Sequence, residues 1–104
     1  MSGGAGYFVH VAESVEVYIH AIDVLSEERR QQILNACLLD LARNADHFLK
    51  RYPLQHESYS FQYEYAFVEG DRVYSFRFIA DGSHMATGIV QVIYVDHETL
   101  SRSS

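Results

Sequence analysis

The sequence predicts an α+β domain of two layers, with one long helix packed on one face of an antiparallel sheet of four to five strands. Aromatic residues occupy every second position over Tyr59–Phe67 and again over Tyr74–Phe78, as in strands with one buried face. Apolar residues between Leu34 and Phe48 recur instead with a period of about 3.6 residues, which is typical of a helix with one buried stripe. The predicted order of elements is β(β)-α-β-β-β.

The two aromatic runs predict a β-hairpin with a defined register. The turn between them, Glu69–Arg72, contains Gly70 and Asp71, which can adopt the positive φ of a two-residue hairpin loop. Pairing the two ends of this turn places the aromatic residues of both strands opposite one another on one face. On the other face it places Glu64 opposite Arg77, Ala66 opposite Ser75 and Val68 opposite Val73. A slip of one residue would break both rows, so the pattern specifies the register.

The segment before the helix is predicted to be one bulged strand or a hairpin. Tyr7–Val11 is a short extended run, and Val15–Val24 alternates with apolar residues on both sides. A strand that is apolar on both faces is expected inside a sheet rather than at its edge. Ser26 is the predicted N-cap of the helix, which should then continue to about Arg51.

A last strand is predicted over Gly88–Asp96, and it carries two apolar rows. Because the length of the loop after Ala80 is ambiguous, either row can face the helix. The first row is Ile89, Gln91, Ile93 and Val95, and the second is Val90, Val92 and Tyr94. Residues 1–6 and 97–104 are small or polar and are expected to be flexible ends of a single domain, 1–104.

The composition predicts an acidic cytoplasmic protein. A net charge of −6 argues against a phosphate-binding surface as the main feature, which disfavours nucleic acid as a partner. The one cysteine, Cys37, excludes an internal disulfide and fits a reducing compartment. The sequence shows no signal peptide and no run of about 18 apolar residues, so neither export nor a membrane partner is expected.

No catalytic constellation, cofactor motif or metal site is predicted. The six histidines are scattered, and no two of them have a ligand spacing such as i, i+4 on the helix. Cys37 falls within the apolar stripe, so we expect a packed thiol rather than a nucleophile. These observations favour a binding protein over an enzyme.

The sheet has a second face that one helix cannot cover, and this predicts a partner. That face would expose large apolar side chains with a pair of opposite charges between them. A homodimer is the simplest arrangement that buries such a surface, because a self-complementary patch needs no other protein. We therefore expect a small binding or assembly module, whose interface residues are Glu64, Val68, Val73, Arg77 and Ile79.

An aromatic pocket is an alternative interpretation of the same domain. A small-molecule-binding protein or an enzyme would hold its ligand between the helix and the sheet. The residues that would line this pocket are Tyr63, Tyr65, Tyr74 and Phe76.

The order of one strand, a helix and three strands also resembles the small ribonuclease toxins of the RelE/ParE type. Arg77–Tyr94 can be laid over their final hairpin, and the resemblance implies a nuclease. Those toxins are typically basic and place Arg, Lys or His on the late strands, whereas this chain is acidic and has only Arg72 and Arg77 there. No catalytic residue is carried over. A cystatin-like sheet wrapped on a helix has the same order, so the order alone does not decide the function.

Overall fold

The structure, a computed structural model, is an α+β domain with a four-stranded mixed sheet and a long helix. It describes residues 6–54 and 59–101. The strands follow one another across the sheet in the order β1-β4-β3-β2. The elements are β1 (Phe8–Val11), α1 (Glu13–His20), α2 (Glu27–Arg51), β2 (Ser60–Glu69), β3 (Arg72–Asp81) and β4 (Ile89–Ser101), with a 3-10 turn (Met85–Thr87) before β4.

The hairpin of β2 and β3 has the predicted register. Gly70 in its turn has a φ of 63°, the positive value that the turn requires. The aromatic row and the opposite row both pair as the alternation predicts, because a slip would expose the aromatic side chains to water. The confirmed pairs are Phe67 with Tyr74, Tyr65 with Phe76, Tyr63 with Phe78, Glu64 with Arg77, Ala66 with Ser75, Val68 with Val73 and Glu69 with Arg72.

The long helix is confirmed in α2. The hydroxyl oxygen of Ser26 accepts a hydrogen bond from the backbone N–H of Arg29, as an N-cap does. Leu39 lies off the apolar stripe and is 55% exposed. The helix is kinked at Asn44, whose φ of −130° is not helical. Its buried residues are Ile33, Leu34, Cys37, Leu41 and Ala45.

The prediction of a strand over Val15–Val24 is wrong, because the helix α1 occupies Glu13–His20. Val and Ile favour strands, and their alternation here suggested one. Val17, which shares the alternating apolar row, is nevertheless 60% exposed. The residues that pack into the core have the helical spacing i, i+3, i+4 and i+7. They are Val15, Tyr18, Ile19 and Ile22.

The sheet is mixed rather than antiparallel, because β1 pairs in parallel with β4. A parallel pair needs a long crossover connection, and here the connection includes both helices and the β2–β3 hairpin. The predicted order β(β)-α-β-β-β is therefore corrected to β-α-α-β-β-β in the described residues. Side chains of both helices contribute to one hydrophobic core with the sheet.

β4 differs from the prediction in its length and in its faces. It continues to Ser101, so residues 97–101 pair with β3 instead of belonging to a flexible end. A β-bulge shifts the register between Ile79 and Ala80 and leaves Ile93 without a Cα partner. The strand therefore buries Val92 before the bulge and Val95 after it, and neither predicted row stays on one face. Residues 1–5 and 102–104, also predicted to be flexible, lie outside the described residues.

Two faces of the sheet follow from these registers. The inner face packs in the core with α1 and α2, and its fully buried side chains include Phe61, Phe76 and Phe78. The outer face consists of the alternate residues of the same strands. Its members are Gln62, Glu64, Ala66 and Val68 of β2, Val73, Ser75, Arg77 and Ile79 of β3, and Tyr94, Asp96, Glu98 and Leu100 of β4.

Candidate functional site: the outer face of the sheet

The five residues predicted for an interface lie together on the outer face. The register pairs Glu64 with Arg77 and Val68 with Val73, and strand alternation puts Ile79 on the same side of β3. Glu64, Val68 and Arg77 are exposed, whereas Val73 and Ile79 are half-buried. The sequence therefore predicted their common location, and their role in binding a partner stays a prediction.

β4 adds two apolar residues to this surface. Leu100 lies opposite Val73 and is 53% exposed, and Tyr94 lies opposite Ile79 and is 49% exposed. Leu100 was missed because the predicted strand ended at Asp96, whereas Tyr94 belongs to one of the two rows that the sequence left open for this face. The apolar residues form two groups. The turn-side group is Val68, Val73 and Leu100, and the bulge-side group is Ile79 and Tyr94.

A row of charged side chains crosses the outer face between the two apolar groups. Arg77 Nη2 donates to Asp96 Oδ2 at 2.8 Å, and the hydroxyl of Tyr94 donates to the same oxygen at 3.1 Å. The hydrogen bond from Arg77 holds the pKa of Asp96 below its usual value, and the same bond raises the pKa of Arg77. This row borders an open cavity of about 490 Å³ that also includes Ser75 and Glu98.

Glu64 lies in the charged row opposite Arg77, but the two side chains do not form an ion pair. Glu64 Oε2 accepts a hydrogen bond from Gln62 Nε2 at 2.6 Å. The two ion pairs among the described residues use Glu69 and Asp96 as their acids. Glu64 is thus a carboxylate beside a guanidinium that is already paired with another acid.

The four residues of the alternative pocket are on the inner face. Phe76, Tyr63 and Tyr74 are 0%, 2% and 6% exposed, and the half-buried Tyr65 packs against the same core. The ring of Phe48 meets the ring of Tyr63 edge-on, with 5.2 Å between centroids. Core neighbours therefore surround these side chains.

The inner face also holds a small polar cluster beneath α2. The Tyr63 hydroxyl donates to the carboxylate of Asp40. Burial raises the pKa of the Cys37 thiol to about 12, and the charge of Asp40 adds to the rise. Burial also raises the pKa of Tyr63, and its hydrogen bond to Asp40 raises it further. Both groups are protonated at neutral pH, and a protonated thiol is a poor nucleophile.

His97 is a half-buried residue of β4 that contacts α1 and β3. Its Nδ1 shares a hydrogen bond with the Tyr18 hydroxyl at 2.6 Å. Its ring stacks on Phe76, with 4.9 Å between centroids. These contacts join α1 to β4. Across residues 6–54 and 59–101, no group of three His, Cys, Asp or Glu side chains is placed to hold a metal ion.

No family model, curated protein or solved structure matches this chain. The resemblance to RelE/ParE toxins thus rests on the predicted order of elements and a few apolar positions. In the described part of the chain, no helix is both long and apolar enough to cross a membrane. The function must therefore be argued from the surfaces of the domain, and the outer face is the one that combines two apolar groups with a charged row.

Proposed function

We propose that the protein is a small cytoplasmic binding or assembly module that forms a homodimer through the outer face of its sheet. The observation that supports this most strongly is the exposure of Val68, Leu100 and Tyr94 on that face, each between 49% and 53%. Large exposed apolar patches on soluble proteins often mark sites of association, and this face carries two apolar groups on either side of a charged row. A two-fold contact would bury both apolar groups at once, because each protomer contributes the same surface.

The arrangement of the two groups suits a face-to-face contact. Packed sheets keep their strands within about 30° of each other, with about 10 Å between the sheets. A two-fold axis in the contact plane and perpendicular to the strands would reverse the strand direction of the partner. The turn-side group of one protomer would then lie on the bulge-side group of the other, while the charged rows would meet at the centre.

The charged row would fix the alignment of the two protomers. A guanidinium has five N–H donors, and the Arg77–Asp96 ion pair engages one of its nitrogens. Arg77 can therefore also donate to Glu64 of the partner subunit, which lies about one strand spacing, roughly 4.8 Å, to the side. Such a pair contributes more to the register of the dimer than to its strength.

The experiment that tests this proposal compares two Val→Asp substitutions by light scattering at micromolar concentration. Val73→Asp places a carboxylate in the proposed contact, where an unpaired buried charge strongly disfavours association. Val17→Asp is the matched control, because Val17 is 60% exposed on α1. We expect a dimer for the wild type and for Val17→Asp, and a monomer or an aggregate for Val73→Asp. A wild type that is monomeric at all accessible concentrations would refute the homodimer.

A further inference from the structure

β2 is an edge strand, and among residues 6–54 and 59–101 only the segment 52–54 pairs with its free edge, at the start of the strand. The backbone N–H of Leu54 donates to the carbonyl of Ser60 at 2.9 Å, and the N–H of Gln62 donates to the carbonyl of Tyr52 at 3.0 Å. Pro53 forms an isolated antiparallel bridge with Phe61. Ser60 and Gln62 therefore direct their backbone groups away from β3 and toward this short covering segment.

The same alternation leaves the rest of this edge open. Alternate residues of an antiparallel strand direct both N–H and C=O to the same side, and the β2–β3 register continues without a break to Glu69. Glu64, Ala66 and Val68 consequently direct their backbone groups outward as well. All three are exposed, and no backbone hydrogen bond joins their outward groups to another described segment. Unpaired backbone N–H and C=O groups along an edge strand can pair with another strand.

A cleft of about 370 Å³ lies at the start of the open edge, with an aromatic wall and a carboxylate. The rings of Phe48 and Tyr52 stack at 6.4 Å between centroids, and Tyr52 is 49% exposed. Gln62 and Glu64 complete the lining. The hydrogen bond from Gln62 orients the Glu64 carboxylate, whose charge is not balanced by either ion pair among the described residues.

We propose that this edge binds an extended segment of a partner protein and that the cleft accepts a Lys or Arg side chain of that segment. Backbone hydrogen bonds to Glu64, Ala66 and Val68 would supply affinity, and the cleft would supply specificity, as in other cases of strand addition. A carboxylate and an aromatic wall both attract a cation. The net charge of −6 also favours a basic segment over an acidic one.

Two other features of the molecule are compatible with this occupant. The open edge lies in the plane of the sheet, so a dimer through the outer face would leave its backbone groups accessible. The nearby cations Lys50 and Arg51 line a separate depression with His47 rather than the cleft itself. The two proposed sites share Glu64, which can bind either Arg77 of the partner subunit or the cation in the cleft, whereas the backbone groups of the open edge belong to the strand-addition site alone.

The test uses capped seven-residue peptides and amide NMR spectra of the full chain. The probe peptide alternates Lys and Val, and the control peptide has Glu in place of every Lys. We expect saturable shifts of the amide signals of Glu64, Ala66 and Val68 with the Lys peptide, and binding weaker by about tenfold or more with the Glu peptide. Equal binding of the two peptides, shifts confined to the outer-face row around Arg77 and Asp96, or no shift at all would overturn the proposal.

Two protein variants and one modified peptide separate the edge from the cleft. Ala66→Pro removes one outward N–H but no β2–β3 hydrogen bond, and edge strands tolerate proline; Ala66→Ser is its matched control. Tyr52→Ala removes the exposed ring. We expect about tenfold weaker binding of the Lys peptide for Ala66→Pro and for Tyr52→Ala, and no change for Ala66→Ser. A Lys peptide N-methylated at alternate residues lacks the N–H groups that strand addition needs, so it tests the edge on the wild-type protein. Binding as strong as that of the unmethylated peptide would contradict strand addition.

Discussion

The two faces of the sheet are built from the same strands, yet they differ in what they contact. On β3, Phe76 and Phe78 are completely buried in the core with α2, whereas Arg77 between them is exposed on the outer face. Both faces also carry apolar residues, but those of the inner face have helices as neighbours. The comparison indicates that the inner face stabilises the fold, and that no described helix covers the outer face.

The polar groups of the two faces differ in the same way. On the inner face the Tyr63 hydroxyl is tied to Asp40 of the covering helix. On the outer face the Arg77–Asp96 pair lies in water, with side chains 49% and 36% exposed. When a hydrogen bond of the inner face is removed, its partly buried partner is left without a hydrogen bond. On the outer face, water can take the place of the group that is removed. The expected effects on folding stability therefore decrease from the inner face to the outer one.

The largest effect is expected for Leu41→Ala, at the centre of the buried side of α2. Leu41 is 0% exposed, so the substitution should reduce the free energy of unfolding by about 2–5 kcal/mol, as cavity-forming changes do. Leu39→Ala is the matched control on the same helix, because Leu39 is 55% exposed. This control substitution should reduce the free energy of unfolding by less than about 0.5 kcal/mol. Urea unfolding measures both, and equal losses would mean that α2 does not cover the aromatic face as described.

A smaller loss is expected for Tyr63→Phe. This change removes the hydroxyl that donates to Asp40 and leaves the ring in place. A hydrogen bond to a charged group contributes about 1.5–3 kcal/mol, and urea unfolding should show a loss in this range. Tyr94→Phe is the control on the outer face, since its hydroxyl donates to the exposed Asp96. If both variants lost the same stability, the proposed contrast between the faces would not hold.

Cys37 should make the stability of the protein depend on alkaline pH. Its pKa is raised by burial from 9.0 to about 12, so the folded state holds the proton more tightly than the unfolded state. The thiol's contribution is fully present below pH 9 and is lost as the pH rises toward 12. The loss has an upper limit of about 1.4 kcal/mol per pH unit.

Cys37→Ala lacks the titrating thiol and isolates this effect from the titration of the tyrosines. Above pH 9 the stability of the wild type should fall more steeply than that of the variant. In the native state at neutral pH, Cys37 should also react slowly with a thiol reagent and should become reactive in denaturant. Rapid labelling of the native protein would mean that the thiol is exposed or activated.

The smallest effect on folding is expected for Asp96→Asn on the outer face. The pKa of Asp96 is lowered by its hydrogen bond with Arg77, so its stabilisation is present above the ordinary carboxylate pKa and is lost as the pH falls through the lowered value. Because the pair is exposed, the substitution should cost less than about 1 kcal/mol at neutral pH. A loss of several kcal/mol, measured under conditions where the protein is monomeric, would show that the outer row is part of the folding core.

The inner face of the sheet was largely predictable from the sequence, because patterns within single segments of the chain determine it. The aromatic alternation from Tyr59 to Phe67 and the turn at Gly70 determine the hairpin register, and the helical period determines the buried side of α2. The outer residues Val68, Val73 and Ile79 then followed from the same alternation. For these elements the intrinsic pattern and the tertiary packing agree.

The elements that were not predicted depend on tertiary contacts. The segment from Val15 to Ile22 fits both a strand and a helix, and burial of Ile19 against the sheet selects the helix. The bulge at Ile93 reflects the register between β3 and β4, which the sequence of β4 alone does not contain. Leu100 was absent from the predicted interface because the predicted strand ended at Asp96, and Tyr94 because the sequence left open which of two rows faces outward. The cleft with Phe48 and Tyr52 also required the position of the end of α2 beside β2.

The most direct test of the outer face is an isotope-filtered nuclear Overhauser experiment on a mixture of labelled and unlabelled protein. It detects only contacts between protomers. The proposed dimer predicts signals between methyl groups of the turn-side group, such as Leu100, and the ring of Tyr94 in the partner subunit. Signals of this kind should vanish in the Val73→Asp variant. Contacts between protomers that involve only α1 or α2, or no such contacts at millimolar protein concentration, would contradict the account.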